Sequence, residues 1–303
     1  MSKSVLVTGA TGFIGSRLVD LLLEKHHNVT SFVRNTSRPH SNPKTIVGDI
    51  TDPNLKIPVN DFDCVIHLAS HTPFEKNKKV LDKVNLEGTK NLFSQIKDKT
   101  KSIIYISGLG VYGDAKGKFI DENSPYNVET EFVQIRLKAQ KFVETNCKEL
   151  GINFSAMHLG DVYGPGGWFY EFLIKRMKKN IFGLPKNGDY YKGFVHRDDA
   201  VGSMISVMNQ NPKNEVYVVS DSNPVTFREF ANFTADQIGV KHPRSVPVFM
   251  AKAVLGEELT KLLTTSMKVS NKKISQIYEF TYPSFRDGIP QVVRELREKN
   301  HLN

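Results

Sequence analysis

The sequence predicts an α/β fold, a doubly wound parallel sheet with a smaller C-terminal domain, and three observations carry that prediction. The chain opens on the apolar run Val5-Leu-Val7, which leads through glycines at 9, 12 and 15 into an amphipathic stretch over 16–25. Short β-branched runs then alternate with stretches of helical period, as right-handed βαβ crossovers require. Runs such as 64–69 are apolar almost throughout, the mark of strands buried on both faces.

The opening stretch reads as strand, tight turn and helix N-terminus, with its glycines spaced G-x-x-G-x-x-G. Gly9 permits the sharp turn, Gly12 lets backbone approach a pyrophosphate, and Gly15 lets helix and strand pack closely. The helix N–H groups and dipole then face the phosphates. A Rossmann-type dinucleotide site is expected at Gly9, Thr11, Gly12, Phe13, Ile14 and Gly15.

The second strand is expected at 29–33. In NAD sites an acidic residue ends this strand and takes the ribose hydroxyls, whereas a nearby arginine accommodates the 2′-phosphate of NADP. Val33 stands at the acidic position, with Arg34 next and Arg38 close behind, which favours NADP over NAD. A third strand at 45–49 places Asp49 and Ile50 beside the adenine. The fourth strand, 64–69, contains His67, read as a hydrogen-bonded core histidine. A helix follows over 85–93, and the fifth strand is 102–107. Ligands of such sheets bind beyond the carboxyl ends of the strands, where Gly9, Arg34, Ala69 and Ser107 would lie.

A helical period holds over 129–150, followed by a strand at 152–157. Residues 160–167 read as a turn-rich loop leading into 168–175. Residues 194–200 open another helix, with Asp198 or Asp199 near its N-terminus. A late strand at 215–219 precedes helix-like segments at 226–238, 247–264 and 291–299. Residues 1–165 and 193–225 are thus expected to form the dinucleotide-binding domain, and 166–192 with 226–303 a small substrate-binding domain. A small-molecule ligand is expected in the cleft between them, with Trp168, Tyr170, Tyr190, Tyr191 and Lys192 as pocket liners.

Composition is that of an ordinary globular protein, 39% apolar and 24% charged over 303 residues. No apolar run is long enough to span a bilayer, and the first strand begins almost at Met1, so a cytoplasmic protein without a membrane partner is expected. The two cysteines, Cys64 and Cys147, match no disulfide framework or metal-ligand spacing and read as core thiols. The net charge of +9 is scattered over segments such as 76–79 and 175–179, which makes a nucleic-acid partner unlikely and solvated helix faces the simpler reading.

Taken together, 8–15, 65–69, 85–89, 111–113, 161–165 and 195–199 resemble, in order, the landmarks of the extended short-chain dehydrogenase/reductase family, the NAD-dependent epimerase/dehydratase group. The resemblance extends the expected cofactor contacts to Leu68, Ala69, Ser70, Asn85, Ser107 and Arg136. It also implies oxidoreductase chemistry on a small carbonyl or sugar-like ligand, and a possible homodimer through helices near 87–97 and 132–150.

The family's chemistry depends on Ser/Thr, Tyr and Lys, the last two spaced Y-x-x-x-K on one helix face. Tyrosine passes the proton, lysine lowers its pKa and holds the ribose, and serine bonds the reacting carbonyl. Here the helix pattern puts Phe132 at the tyrosine and Arg136 at the lysine; shifting it to use Lys138 puts Gln134 at the tyrosine. Gly108 occupies the serine position, with Ser107 one residue early. Tyr112 to Lys116 has the right spacing but spans a glycine-containing loop. Phenylalanine cannot exchange a proton, whereas arginine keeps a positive charge and donors that could hold ribose hydroxyls. Replacement proton donors are sought at Tyr112, Tyr126, Tyr163 and His158. A non-catalytic NADP(H)-binding sensor or assembly module is the alternative, and an RNA-binding relative a third reading.

Overall fold

The computed structural model describes residues 1–35, 44–58, 61–221 and 223–302. Arg38 lies outside the described residues. A seven-stranded parallel sheet flanked by helices carries the fold. Its strands are β1 (Ser4–Thr8), β2 (Asn28–Val33), β3 (Thr45–Val47), β4 (Cys64–His67), β5 (Ser102–Gly108), β6 (Asn153–Leu159) and β7 (Glu215–Val219). Their spatial order is β7-β6-β5-β4-β1-β2-β3, so the chain winds outward from β1 in both directions. The first strand is enclosed by its neighbours, with Val5 opposite both Val29 and Cys64, and is buried from Val5 to Thr8.

The helices that position the site are α1 (Phe13–Glu24), α2 (Lys78–Asp82), α3 (Gly88–Ile96) and α4 (Glu131–Leu150). Between α2 and α3 the helix widens into a π-turn over Lys83–Glu87. Gly88 sits against Ile50, where a Cβ would come within 2.8 Å of the isoleucine side chain. The core around the sheet is built from Leu6, Phe32, Phe62, Tyr105, Cys147, Phe154 and their neighbours, and Cys64 and Cys147 are both buried free thiols.

The chain divides into two compact units. One comprises Met1–Ser107, Glu131–His158 and Val201–Tyr217; the other comprises Gly108–Thr130, Leu159–Ala200 and Val218–Asn303. The second unit has its own core, in which Tyr163, Phe169, Phe194, Phe230 and Phe285 pack together. The Phe194 and Phe230 rings stack with centroids 3.8 Å apart. Helices α5 (Arg197–Gln210), α6 (Phe227–Ile238) and α7 (Phe285–Glu298) complete the long helices.

Four expectations change in detail. The stretch expected as a turn-rich loop contains the strand Asp161–Tyr163. It pairs in parallel with Phe194–His196, a segment expected to start a helix. Both segments are apolar enough to be buried, and the pairing satisfies backbone groups that a buried loop would leave stranded. The helical stretch 247–264 is broken at Gly256, whose φ of +87° separates Val248–Leu255 from Glu257–Leu263. The third strand ends at Val47, before Asp49. Among the described residues, no helix is long and apolar enough to cross a membrane.

Candidate functional site

The glycine loop is a cradle with its sterics accounted for. Gly9 has φ +67°, and a Cβ there would meet the Ala69 nitrogen at 2.9 Å. A Cβ on Gly15 would come within 2.1 Å of the Gly9 carbonyl oxygen, so α1 can start this close to β1 only with glycine at that position. Gly12 is exposed and its N–H donates to the Gly9 carbonyl at 2.9 Å, closing the turn. As the N-cap of α1 it offers no side-chain acceptor, and the first helical turn holds no acidic residue. The positive end of the helix dipole is therefore left to an anionic ligand. These residues fit a dinucleotide pyrophosphate.

The other expected contacts fall at the same edge. Arg34 follows β2 and is exposed; Asp49 and Ile50 follow β3, and Leu68 to Ser70 follow β4. At Asp49, burial acts to raise the carboxyl's pKa. Hydrogen bonds from Thr51 and the charges of Arg34 and Lys83 outweigh it and hold the group below its ordinary range. Lys83, on the π-turn, carries no recognisable motif and escapes sequence reasoning.

A buried relay sets the geometry of this edge. Thr89 Oγ1 donates to the Asn85 carbonyl (2.8 Å), so its lone pair is left to accept from His67 Nε2 at 3.0 Å. His67 Nδ1 then accepts from Thr8 Oγ1 at 2.7 Å. That hydroxyl also accepts from the Leu68 and Ala69 backbone N–H groups, at 3.2 and 3.1 Å. The loop after β4 is thereby tied to the last residue of β1, one position before Gly9. Burial, then the Arg136 charge, pushes His67 down to about 3, so the imidazole is neutral, as a core histidine should be. Asn85 is itself fully buried and clamps the backbone of His71: Oδ1 accepts from its N–H at 2.8 Å, and Nδ2 donates to its carbonyl at 3.3 Å. Its carboxamide shapes the loop that borders the site. Thr8 was missed from sequence, although its place directly before the glycine turn was a signal.

At the positions of the expected triad, Phe132 is half-buried, while Gln134 and Lys138 point to solvent. The inward face of α4 thus carries Arg136 together with Val133 and Gln140. Nη2 of Arg136 donates to the Ile106 carbonyl, and the guanidinium lies 5.1 Å from the Tyr105 ring centroid. Ser107 is buried at the end of β5. Gly108 has an extended backbone, and a Cβ there would meet the Leu159 carbonyl at 3.7 Å, an ordinary contact, so the position has room for a Cβ.

The replacement proton donors are mostly interior groups. His158 is fully buried, bonds Gln140 Oε1 at 3.0 Å, and is pushed down to about 3 by burial and then by Arg136. Tyr163 is fully buried with its phenol raised well above 10, mainly by burial, and its hydroxyl has no partner among the described residues. Burial also raises Tyr112, which packs edge-on against Tyr126 at 5.6 Å. Of the four, Tyr126 is the exposed one, at 36%. Tyr112 ends a short 3-10 turn and Lys116 has φ +51°, so the two share no helix face.

Within the second unit the suggested pocket liners divide. Trp168 donates from Nε1 to the Val162 carbonyl and stacks on Phe230, and Tyr190 stacks on Phe227, so both belong to the core. Tyr170 stacks on His301. Tyr191 lies beneath the Lys268 ammonium, and Lys192 pairs with Asp161 at 3.4 Å.

Residues 5–220 match the family described as NAD dependent epimerase/dehydratase. The chain belongs to this family. Across 94% of its length it is 25% identical to a 3-diazoavenalumate denitrifying reductase from a Streptomyces species, covering 98% of that protein. The human epimerase family protein SDR39U1 (isoform 2), solved with NADPH, shares the fold with a TM-score of 0.81 at 22% identity, over 97% of this chain and all of that one. The dTDP-glucose 4,6-dehydratase DesIV of Streptomyces venezuelae, solved with NAD and TYD, superimposes with a TM-score of 0.82 at 22% identity, over 98% of each chain. The family match takes in the glycine loop at 9–15 as well as Gly108, Phe132 and Arg136.

Proposed function

We propose that the chain is an oxidoreductase-like protein that binds NADP(H) in preference to NAD(H) and acts on a small carbonyl or sugar-like ligand. The uncapped glycine cradle, with Arg34 rather than an acid after β2, carries this reading. When bound, the nicotinamide supplies a hydride. Gly9, Thr11, Gly12, Phe13, Ile14 and Gly15 hold the pyrophosphate, Arg34 the 2′-phosphate, and Asp49 with Ile50 the adenine. Leu68, Ala69 and Ser70, fixed by Thr8 and Asn85, border the middle of the cofactor. Ser107, near the end of β5, is the residue we assign to hydrogen-bond a ligand oxygen.

No phenol stands at the usual proton-transfer position. The protein's own general acid is then missing or displaced, which ordinarily forfeits about 10²–10⁴ in rate. Of the four candidate donors, Tyr126 is the exposed phenol. Fluorescence titration with NADPH and NADH, followed by NADPH oxidation over aldehydes, ketones and nucleotide sugars, tests the proposal. Equal or tighter NADH binding would overturn the cofactor preference, and cofactor binding without turnover on any of these would overturn the activity.

Gly108, Phe132 and Arg136 favour a second reading, a non-catalytic NADP(H)-binding sensor or assembly module. Robust turnover by the native protein, with no gain from the triple change Gly108→Ser, Phe132→Tyr and Arg136→Lys, would rule it out.

A further inference from the structure

Among the described residues Arg136 is a charge without a counter-charge. Its residue is 9% exposed, and its partners are the Ile106 carbonyl and the Tyr105 ring. Among the described residues no carboxylate pairs with it. A guanidinium carries five N–H donors in a planar fork, and the protein uses one of its nitrogens. The others are absent from the buried side-chain atoms that lack partners, namely Tyr163 Oη, Asp221 Oδ1 and Asn232 Oδ1. The spare donors therefore reach accessible space.

The surroundings do not neutralise it. His67 and His158 are both uncharged near neutral pH, held down by burial first and by this guanidinium second. A buried cation without an anion is costly, and a ligand that brings the anion recovers that cost. The pyrophosphate cradle is not that anion's place. It lies after β1, while Arg136 bonds the end of β5, and the sheet order β5-β4-β1 puts two strand spacings, roughly 10 Å, between them. One positive charge between neutral groups matches a monoanion, and a planar fork matches a carboxylate bidentately.

We propose that the substrate of this site carries a carboxylate, and that Arg136 receives it at the carboxyl end of β5. The substrate class is a small carbonyl acid. This rests on the oxidoreductase reading for the carbonyl, though not for the carboxylate. It gives the arginine a task different from the ribose contact expected of the family's lysine.

The test compares matched pairs on the NADPH-loaded protein, pyruvate against methyl pyruvate and benzoylformate against its methyl ester, with glyceraldehyde 3-phosphate as a phosphorylated control. Binding is read by calorimetry. The acids should bind at least tenfold tighter than their esters and tighter than the phosphorylated control. Arg136→Met should bring acid and ester within twofold, and Arg136→Lys should keep part of the preference. Equal binding of acid and ester by the wild type would overturn the proposal, and that arm needs no variant to fold. Tighter binding of the phosphorylated control, or loss of NADPH affinity in Arg136→Met with the acid preference intact, would overturn it too. If the wild type fails to bind NADPH, the oxidoreductase reading falls, and the acid–ester comparison on the free protein still decides the role of Arg136.

Discussion

Replacing Asp221 by asparagine should flatten the pH dependence of stability. Asp221 is 2% exposed; its Oδ2 accepts from the Phe285 N–H, at the start of α7, at 3.2 Å, while Oδ1 has no partner among the described residues. Burial pushes the carboxyl from its ordinary 3.8 up to about 8, against the opposing pull of the Phe285 hydrogen bond. The unfolded chain thus releases this proton near pH 4 and the folded chain near pH 8. Between those values the folded state holds one proton more, so stability falls as pH rises. Below pH 3.8 the group is protonated in both states and imposes no penalty. Each pH unit inside the window costs about 1.4 kcal/mol, or about 3 kcal/mol from pH 5 to 7. Urea unfolding followed by the fluorescence of Trp168, the sole tryptophan and part of the same compact unit, measures this directly. Other titrating groups are common to both proteins, so the difference between wild type and Asp221→Asn isolates the carboxyl. Parallel pH slopes for the two proteins would refute the reasoning.

Further outcomes follow from the cofactor edge. Gly15→Ala places a methyl 2.1 Å from the Gly9 oxygen. It should cost about 1–3 kcal/mol by overpacking and weaken NADPH binding at least tenfold, read by thermal melting and fluorescence titration. Thr8→Val removes the acceptor of the Leu68 and Ala69 N–H groups and the partner of His67. A loss of about 1–3 kcal/mol in urea denaturation is expected, with Thr8→Ser close to wild type. Arg34→Ala should weaken NADPH by about tenfold, about 1.4 kcal/mol, and leave NADH unchanged; an equal loss for both cofactors would show that the arginine does not read the 2′-phosphate.

Much of the scaffold was legible because its signals are local. The 29–33, 64–69, 102–107 and 215–219 runs each became a strand of the sheet within a residue or two, since apolar β-branched runs have few other ways to bury both faces. The segments 161–163 and 194–196 were misread because a three-residue strand has no period of its own. It exists through a partner more than 30 residues away. Burial likewise came from the fold. His158 and Tyr163 look like chemistry in the sequence and are interior groups in the molecule.

By itself the sequence determined the glycine cradle, the arginine after β2 and the order of landmarks that marks the epimerase/dehydratase family. Spacing along one strand, one turn and one helix is enough to state them. Tertiary structure alone decided that Thr8 and Asn85 hold the loop after β4 in place, that burial raises the Asp221 carboxyl, and that Arg136 has no counter-ion among the described residues. Each of these depends on which distant groups surround a side chain and whether water reaches it. No local pattern of residues encodes that.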